Sequence, residues 1–353
     1  MRVVLLGEFS GFHGALRDGL RTHGIDVDLV GTRDGSKALP VDVDIGSQSK
    51  GYLTSRTERM LRSLWYVSTM SDADVVQMVN PTVFLKGAFN ELLVSRVQRK
   101  TRKLFLSACG TDAFYVRNKD QLRYNPIDDN VVIDLKTANH PLTAPSAQRW
   151  NQKLASIVDG VIPVMYDYQV AYTGHDNLLP TIPLPVNTDA ITYQEPSPAE
   201  KIVILHGITR LGFKGSHHIL RAFEDLSERF PNDLEFIVVK NMPLEAYKQQ
   251  LRRAHVVVDQ TSSYSCGMNA LIALAMGKLV LGGAEPESLS GYGVDNCPVI
   301  NILPNHEDVS QAIVNLLDLK KSIGEISYEG RLFVEKHHEY KMIAQKYISS
   351  WSS

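Results

Sequence analysis

Cysteine is scarce in this sequence. Cys109, Cys266 and Cys297 are widely spaced and odd in number. Such a set fits neither a disulfide framework nor a zinc knuckle. We therefore expect the protein to work in a reducing compartment, where disulfides are rare.

Long apolar runs are also absent. No stretch approaches the roughly 18 residues that a membrane-spanning helix needs. The first residues enter a predicted strand at once, without the basic and apolar regions of a signal peptide. We expect a cytoplasmic location, with the inner face of a membrane as the alternative.

Neither sign of charge dominates, since 37 Lys and Arg residues stand against 39 Asp and Glu residues and the formal net charge is -2. This balance gives no overall positive field for nucleic acid. The densest basic cluster is Arg96, Arg99, Lys100, Arg102 and Lys103. It predicts a solvated helix face, with peripheral contact to anionic lipid as the other interpretation.

The composition is that of a globular protein, 44% hydrophobic and 22% charged. At roughly 100 to 200 residues per domain, 353 residues predict two domains. The stretch from 177 to 198 contains five prolines. Because proline denies the chain helix and sheet hydrogen bonds, we interpret this stretch as the linker between the domains.

The first half begins with a strand, a glycine-containing loop, a helix and a second strand. Residues 2–6 form the first apolar strand, and Gly11, His13 and Gly14 follow it. This order predicts a βαβ unit with a right-handed crossover and a parallel sheet. The loop is looser than the dinucleotide fingerprint, and no carboxylate closes the second strand, so a dehydrogenase is disfavoured.

Two further apolar strands, near 74–79 and 103–107, end at Asn80 and at Gly110 to Asp112. Ligands bind at the carboxyl ends of parallel strands, so we expect these residues and the glycine loop to share one rim. His13 and Asp112 are candidates for orienting a substrate. For His13, a partly exposed loop histidine without chemistry is the alternative. Residues 115–142 show little periodicity and predict a surface excursion.

The second half repeats the alternation of strand and helix, which predicts a second parallel-sheet domain. Apolar strands are predicted at 201–205, 234–239, 256–259 and 279–281. Helices are predicted at 215–229, 244–254, 268–276, near 309–317 and from 331 to 351.

The loop after the first of these strands carries two cations. Arg210 and Lys214 lie four positions apart, beside Gly207, Gly212 and Gly215. Glycine lets the backbone approach a ligand closely, and the following helix N-terminus supplies amide donors for an anion. A guanidinium and an ammonium add two charges that suit a diphosphate. Two surface cations on a turn are the alternative.

A second loop, after the strand at 256–259, precedes an Ala-rich helix. Its amides and hydroxyls predict ligand contacts, with a well-capped core helix as the alternative. Glu285, at the next strand end, offers a carboxylate to ribose or sugar hydroxyls, although exposed turn glutamates are common. The predicted ligand-binding residues are Gly11, Gly14, Tyr264, Ser265, Gly267, Met268, Asn269 and Glu285.

In their order, these motifs resemble the retaining GT-B glycosyltransferases of family four. Three segments resemble the second domain of that family: Gly207 to Gly215, the strand ending in Asp259 and Gln260, and residues 273–280. Residues 183–188 are similar to its domain-linking segment, and Gly110 to Asp112 to a turn of its first domain.

The resemblance implies an α/β GT-B fold with two Rossmann-like parallel-sheet domains facing across a cleft. Residues 1–190 would take the acceptor, 191–335 would bind a nucleotide-diphosphate sugar, and 336–353 would form a helix that crosses back. The donor is a substrate, and no cofactor or metal is implied. The acceptor would be a hydroxyl of a glycan, a lipid-linked molecule or another compound. Retention of configuration and a role in surface polysaccharide or glycoconjugate synthesis are implied as well.

Within that resemblance, Arg210 and Lys214 would stabilise the departing diphosphate. The family's paired glutamates fall here on Tyr264 and Ile272. A bacterial polysaccharide subgroup without that pair is similar at 267–271 and 282–287, which implies hydroxyl recognition by Asn269 and Glu285. The missing pair also leaves a second function open: a catalytically impaired GT-B-like protein that binds a sugar nucleotide or a partner.

Two adjacent histidines, His217 and His218, open the helix after Lys214. Neighbouring positions on a helix point to different faces, so we do not interpret them as a metal-binding pair. An epimerase of the same fold would need several carboxylates and histidines that the sequence does not assemble.

Overall fold

The computed structural model describes residues 1–129, 141–197, 200–208, 212–240, 242 and 244–352. Arg210 therefore lies outside the described residues, as does the part of the predicted excursion from 130 to 140.

A six-stranded parallel sheet forms the first domain, in the order β3-β2-β1-β4-β5-β6. Its strands are β1 (Arg2–Leu6), β2 (Asp26–Gly31), β3 (Val43–Asp44), β4 (Ala73–Met78), β5 (Thr101–Ala108) and β6 (Gly160–Pro163). The helices between them are α1 (Phe12–Thr22), α2 (Tyr52–Thr69), α3 (Ala88–Gln98), α4 (Ala113–Asn118) and α5 (Pro145–Ile157), and α6 (Tyr166–Ala171) follows β6. This is the Rossmann strand order, and it reverses between β1 and β4.

A five-stranded parallel sheet forms the second domain, in the order β11-β10-β9-β7-β8. Its strands are β7 (Ile202–Ile208), β8 (Leu234–Lys240), β9 (Val256–Val258), β10 (Leu279–Gly282) and β11 (Val299–Asn301). Its helices are α7 (Ser216–Arg229), α8 (Leu244–Arg253), α9 (Met268–Ala275), α10 (Pro286–Gly291), α11 (His306–Asp318) and α12 (Ile323–His337). The strand order reverses between β7 and β9.

The central strands of both sheets are buried on their two faces, as in parallel sheets covered by helices. Val3 to Leu6 of β1 are at most 1% exposed, and the three residues of β9 are fully buried. The continuous apolar runs in the sequence therefore predicted these strands correctly. None of the described helices combines the length and the hydrophobicity that crossing a membrane would take.

The prediction of one long helix from 331 to 351 is wrong. The helix is interrupted between α12, which ends at His337, and α13 (Tyr340–Ser352). At this interruption, the backbone of Val186 forms two hydrogen bonds. Its N–H donates to the His338 carbonyl at 2.7 Å, and its carbonyl accepts from the Tyr340 N–H at 3.1 Å. Helix α13 then packs on α1 of the first domain, and the Trp351 indole donates to Gln77 at 2.9 Å.

The basic cluster from Arg96 to Lys103 is not a helix face. Arg96 lies in the last turn of α3, whereas Arg102 and Lys103 lie in β5. Lys100 donates to the carbonyls of Ser68 and Met70 at 3.0 and 2.9 Å, and Lys103 donates to the Trp351 carbonyl at 2.9 Å. Lys100 and Lys103 therefore hold neighbouring elements together, whereas Arg96, Arg99 and Arg102 are exposed. The prediction of a single helix face is wrong, because the cluster spans the end of α3 and the start of β5.

Candidate functional site

An ion pair connects two loops of the second domain where the strand order of its sheet reverses. The Lys214 ammonium, on the loop after β7, lies 2.7 Å from the carboxylate of Asp259, which follows β9. Asp259 is 1% exposed. In open α/β sheets, ligands bind outside the strands at such a reversal, so this pair marks the expected position of a ligand.

Asn269 belongs to the same group of polar side chains. Its amide donates to Asp259 at 2.8 Å, and its carbonyl oxygen accepts from the Tyr247 hydroxyl at 2.6 Å. Burial raises the pKa of Tyr247, so its hydroxyl stays a donor. The sequence predicted Lys214 and Asn269 but not Asp259 or Tyr247, although Asp259 ends the strand that carried the resemblance.

The first turn of α7 is held rigidly next to Lys214. Gly215 has a φ of 62°, and an added Cβ would collide with the Thr261 hydroxyl. Buried His206 bridges the Val258 carbonyl and the Ser216 hydroxyl at 2.8 and 2.9 Å. Burial lowers the pKa of His206 to about 4, so the ring is neutral near pH 7. The helix therefore presents its N-terminal amides at a fixed place.

A carboxylate from the first domain lies at this helix start. Asp129 Oδ1 is 2.8 Å from His218 Nε2 and 3.4 Å from His217 Nε2, and Oδ2 accepts from the Ser262 hydroxyl. The two imidazole rings are 3.9 Å apart. Burial, and then the neighbouring His218, lower the pKa of His217. Both histidines thus meet one carboxylate, which corrects the expectation that adjacency would separate them.

Tyr264 lies between the two domains. It is 2% exposed, and its hydroxyl accepts from the backbone N–H of Arg123 at 2.7 Å. Its ring stacks on Tyr124 with centroids 4.8 Å apart and packs against Tyr166 at 5.4 Å. This phenol therefore fastens the segment that contains Arg123 to the second domain.

The carboxylate of Glu285 is bound by three side chains. Arg123 forms an ion pair with it, and Tyr124 and Asn301 donate to it at 2.6 and 2.8 Å. Burial raises the pKa of Glu285, but these hydrogen bonds and the guanidinium outweigh burial and hold that pKa below its usual value. Glu285 is therefore ionised and engaged with the first domain, and it is buried rather than an exposed turn residue.

The remaining predicted residues of the second domain are closely packed. Ser265 and Ser288 share a hydrogen bond of 2.7 Å, and Gly267 precedes α9, whose first residue is Met268. An added Cβ on Gly11 of the first domain would lie 3.9 Å from the Met268 methyl. The structure therefore brings the glycine loops of the two sheets face to face.

His13 and Asp112, predicted to orient substrate, are both buried in the first domain. His13 lies in α1, with Nδ1 2.7 Å from the Gly7 carbonyl and Nε2 without a hydrogen-bond partner among the described residues. Burial lowers its pKa to about 3, so it is not an exposed loop histidine. Asp112 caps α4 through the Tyr115 N–H at 2.8 Å and accepts from Tyr172 at 2.5 Å. Burial raises the pKa of Asp112.

Ile272, at a position where the resemblance implies a family glutamate, lies in α9 and is partly buried. Arg123, Tyr124 and Asp129 were missed because they lie in the stretch without periodicity. Nothing in the sequence pairs that stretch with the second domain.

No protein-family model matches the chain, and no curated protein gives a significant match. Solved structures do match. Sucrose-phosphate synthase from Thermosynechococcus elongatus has a TM-score of 0.63 at 11% identity, over 100% of this chain and 98% of that chain. HepE of Anabaena in complex with UDP has a TM-score of 0.61 at 13% identity, over 100% of both chains.

The UDP-GlcNAc 2-epimerase from Neisseria meningitidis, bound to UDP-GlcNAc, has a TM-score of 0.54 at 10% identity over 99% of both chains. At such identities the likeness concerns the fold. Two parallel-sheet Rossmann-like domains and these neighbours together show that the chain has the α/β GT-B fold.

Proposed function

We propose that the protein is a glycosyltransferase that moves a sugar from a nucleotide-diphosphate sugar to an acceptor hydroxyl. One observation carries this proposal: Lys214, Asn269 and the N-terminus of α7 meet where the second sheet reverses its strand order. A cation and a helix N-terminus at that point suit a diphosphate. The similar HepE structures contain UDP and UDP-glucose, which supports a donor of this class.

In the proposed reaction, the bond between the sugar C1 and the diphosphate breaks while the acceptor oxygen attacks C1. The acceptor proton passes to the leaving phosphate. Lys214, Arg210 and the α7 amides would stabilise the charge that develops on the diphosphate. Attack from the face of the departing group would retain the anomeric configuration, and no metal is required for these steps.

The acceptor would bind on the first domain, near Gly11 and Gly14. His13 and Asp112 are proposed to act there by fixing the loops, because both side chains are buried. We place the reaction in surface polysaccharide or glycoconjugate synthesis at the cytoplasmic side of a membrane, with a glycan or a lipid-linked hydroxyl as the acceptor.

A catalytically impaired protein that binds a sugar nucleotide is the second candidate. It is favoured by Tyr264, which stands where the resemblance implies a glutamate and is buried against the rings of Tyr124 and Tyr166. A binding protein of this kind would keep Lys214 and lose turnover.

Thermal unfolding with UDP-, GDP-, ADP- and dTDP-sugars, each with and without EDTA, tests donor binding. We expect one donor to stabilise the protein to the same extent in both conditions. No stabilisation by any donor would exclude both candidates. Where a donor binds, release of free nucleoside diphosphate in the presence of acceptor mixtures identifies a transferase, and its absence identifies the impaired protein.

The Lys214→Ala variant tests the diphosphate position. Loss of a charged hydrogen-bond donor should weaken nucleoside diphosphate binding by about 1.5 to 3 kcal/mol, roughly 10- to 150-fold in Kd. Isothermal titration with the preferred nucleotide measures it. Lys201→Ala is the matched control, since Lys201 lies at the N-terminal end of β7, away from the loop that carries Lys214, and should not change Kd. Equal affinity of Lys214→Ala and the wild type would remove Lys214 from the site.

A further inference from the structure

The cluster formed by Asp129, His217 and His218 has the composition of a metal site. We propose that these three side chains bind a divalent cation of the zinc class and that the cation joins the first domain to the start of α7. Among the described residues, this is the one group of at least three His, Cys, Asp or Glu side chains whose ligand atoms converge, and these atoms lie within 4.8 Å of one another.

The distances suit an ion. Asp129 Oδ1 lies 2.8 and 3.4 Å from the two imidazole Nε2 atoms. Around a tetrahedral zinc ion with bonds of about 2.0 to 2.1 Å, neighbouring ligand atoms are roughly 3.3 Å apart. The two distances to Oδ1 are therefore within about 0.5 Å of those in a tetrahedral site, and the two Nε2 atoms lie at most 4.8 Å apart. Three protein ligands leave a fourth position for water.

The second oxygen of Asp129 is already occupied. The Ser262 hydroxyl donates to Oδ2, which orients the carboxylate and leaves Oδ1 towards the imidazoles. Outer hydrogen bonds of this kind position metal ligands. Glycine at 215 is part of the arrangement, because a Cβ there would lie 3.1 Å from Oδ2.

The charge around the cluster permits a cation. A helix N-terminus repels positive charge, and Lys214 is adjacent. However, Lys214 is paired with Asp259, and Asp129 brings a negative charge to the helix start. Neutral imidazoles with one carboxylate suit Zn²⁺, Co²⁺ or Ni²⁺, whereas Mg²⁺ and Ca²⁺ prefer oxygen ligands. Transfer itself needs no metal in the proposed function, so this site would be structural.

Titration of the chelator-treated full chain with Co²⁺ tests the site directly, because tetrahedral Co²⁺ absorbs visible light. We expect one Co²⁺ per chain, displaced by Zn²⁺ and not by Mg²⁺. Asp129→Asn and the double variant His217→Gln/His218→Gln should bind at least about tenfold more weakly, since even outer-shell changes cost that much. His306→Gln is the control: this histidine faces one carboxylate, Glu307, at 3.0 Å, and it should bind like the wild type.

Hydrogen exchange tests the joining of the domains. Zn²⁺ should slow exchange in residues 121–129 of the wild type and should not do so in Asp129→Asn. Absence of Co²⁺ binding would show a hydrogen-bonded cluster only and would overturn the proposal. Binding that persists in the double variant would also overturn it, because the cation would then be held elsewhere, for example by a thiol. Neither result depends on donor binding or turnover.

Discussion

Glu8 is a buried carboxylate beside the glycine loop of the first domain. It is 4% exposed, and its two oxygens accept from the N–H groups of Gly11 and Gly14 at 2.8 and 2.7 Å. Burial raises the pKa of Glu8 to about 7 and outweighs these two hydrogen bonds, which lower it. The folded protein therefore holds a proton at Glu8 that the unfolded chain loses near pH 4.5.

The Glu8→Gln variant should change how stability depends on pH. A raised folded pKa means that the contribution of Glu8 is complete below pH 4.5 and is lost as pH rises towards 7. The unfolding free energy of the wild type relative to Glu8→Gln should fall by about 3 kcal/mol over this range and stay constant above it.

Urea unfolding followed by tryptophan fluorescence measures this difference in the first domain. The chain has three tryptophans, and Trp65 and Trp150 lie in α2 and α5 while Trp351 packs on Gln77. Glu91→Gln, the same change on α3, is the control and should run parallel to the wild type. A difference between Glu8→Gln and the wild type that does not vary with pH would contradict the assigned proton.

At the scale of residues, Lys214 and Asn269 could be singled out because they lie next to strong apolar strands, and the structure places both side chains on Asp259. That they bind a ligand stays a prediction. The sequence could not predict Asp129. That residue meets His217 and His218, which are about ninety positions later in the chain, and contacts over such a distance leave no local pattern. The burial of His13 in α1 was also hidden, since an exposed loop histidine and a buried helix histidine look alike in sequence.

At the scale of elements, continuous apolar runs predicted the central parallel strands, because both faces of each strand are covered. The break between α12 and α13 was not predictable in the same way. No proline or glycine lies there, and apolar residues continue on both sides. The helix is interrupted because the Val186 backbone forms hydrogen bonds with His338 and Tyr340, and these are tertiary contacts.

The contact between α1 and α13 depends on Gly19. An added Cβ would collide with the Tyr340 carbonyl and would lie 2.9 Å from the Ala344 Cβ. Gly19→Ala should therefore lower the unfolding free energy by about 1 to 3 kcal/mol, although alanine favours helices by about 1 kcal/mol. The same urea unfolding experiment detects it, since Trp351 is on α13.

Gly291→Ala is the matched control for this change. Gly291 ends α10, and the nearest atom to an added Cβ is 3.9 Å away. The control should be as stable as the wild type or slightly more stable. If Gly19→Ala were equally stable, α13 would not be held against α1 in solution as the structure has it.

At the scale of the whole molecule, the order of motifs predicted two facing sheets, since each motif marks a strand end. It did not predict how the domains are fastened to each other. Arg123 and Tyr124 of the first domain contact Tyr264 and Glu285 of the second. These contacts join segments about 140 to 160 positions apart, and each side chain in isolation resembles an ordinary surface residue.

The Tyr264 ring stacks on Tyr124 in that contact, so Tyr264→Ala should release residues 121–129 from the second domain. Removing a buried aromatic ring costs about 3 to 5 kcal/mol in a core, and the Arg123 amide also loses its acceptor. Hydrogen exchange at 121–129 should accelerate at least about tenfold, and the radius of gyration measured by X-ray scattering should rise.

Two further variants show which part of Tyr264 matters. One keeps the ring and removes the hydroxyl, and the other removes an unrelated ring as a control. Tyr264→Phe keeps the stacking on Tyr124 and loses the acceptor for Arg123, so it should lie between the wild type and Tyr264→Ala. Tyr328→Ala removes a half-exposed ring that meets Tyr193 within the second half of the chain, and it should not change exchange at 121–129. Unchanged exchange in Tyr264→Ala would mean that the ion pairs of Arg123 and Asp129, rather than the aromatic stack, hold the domains together.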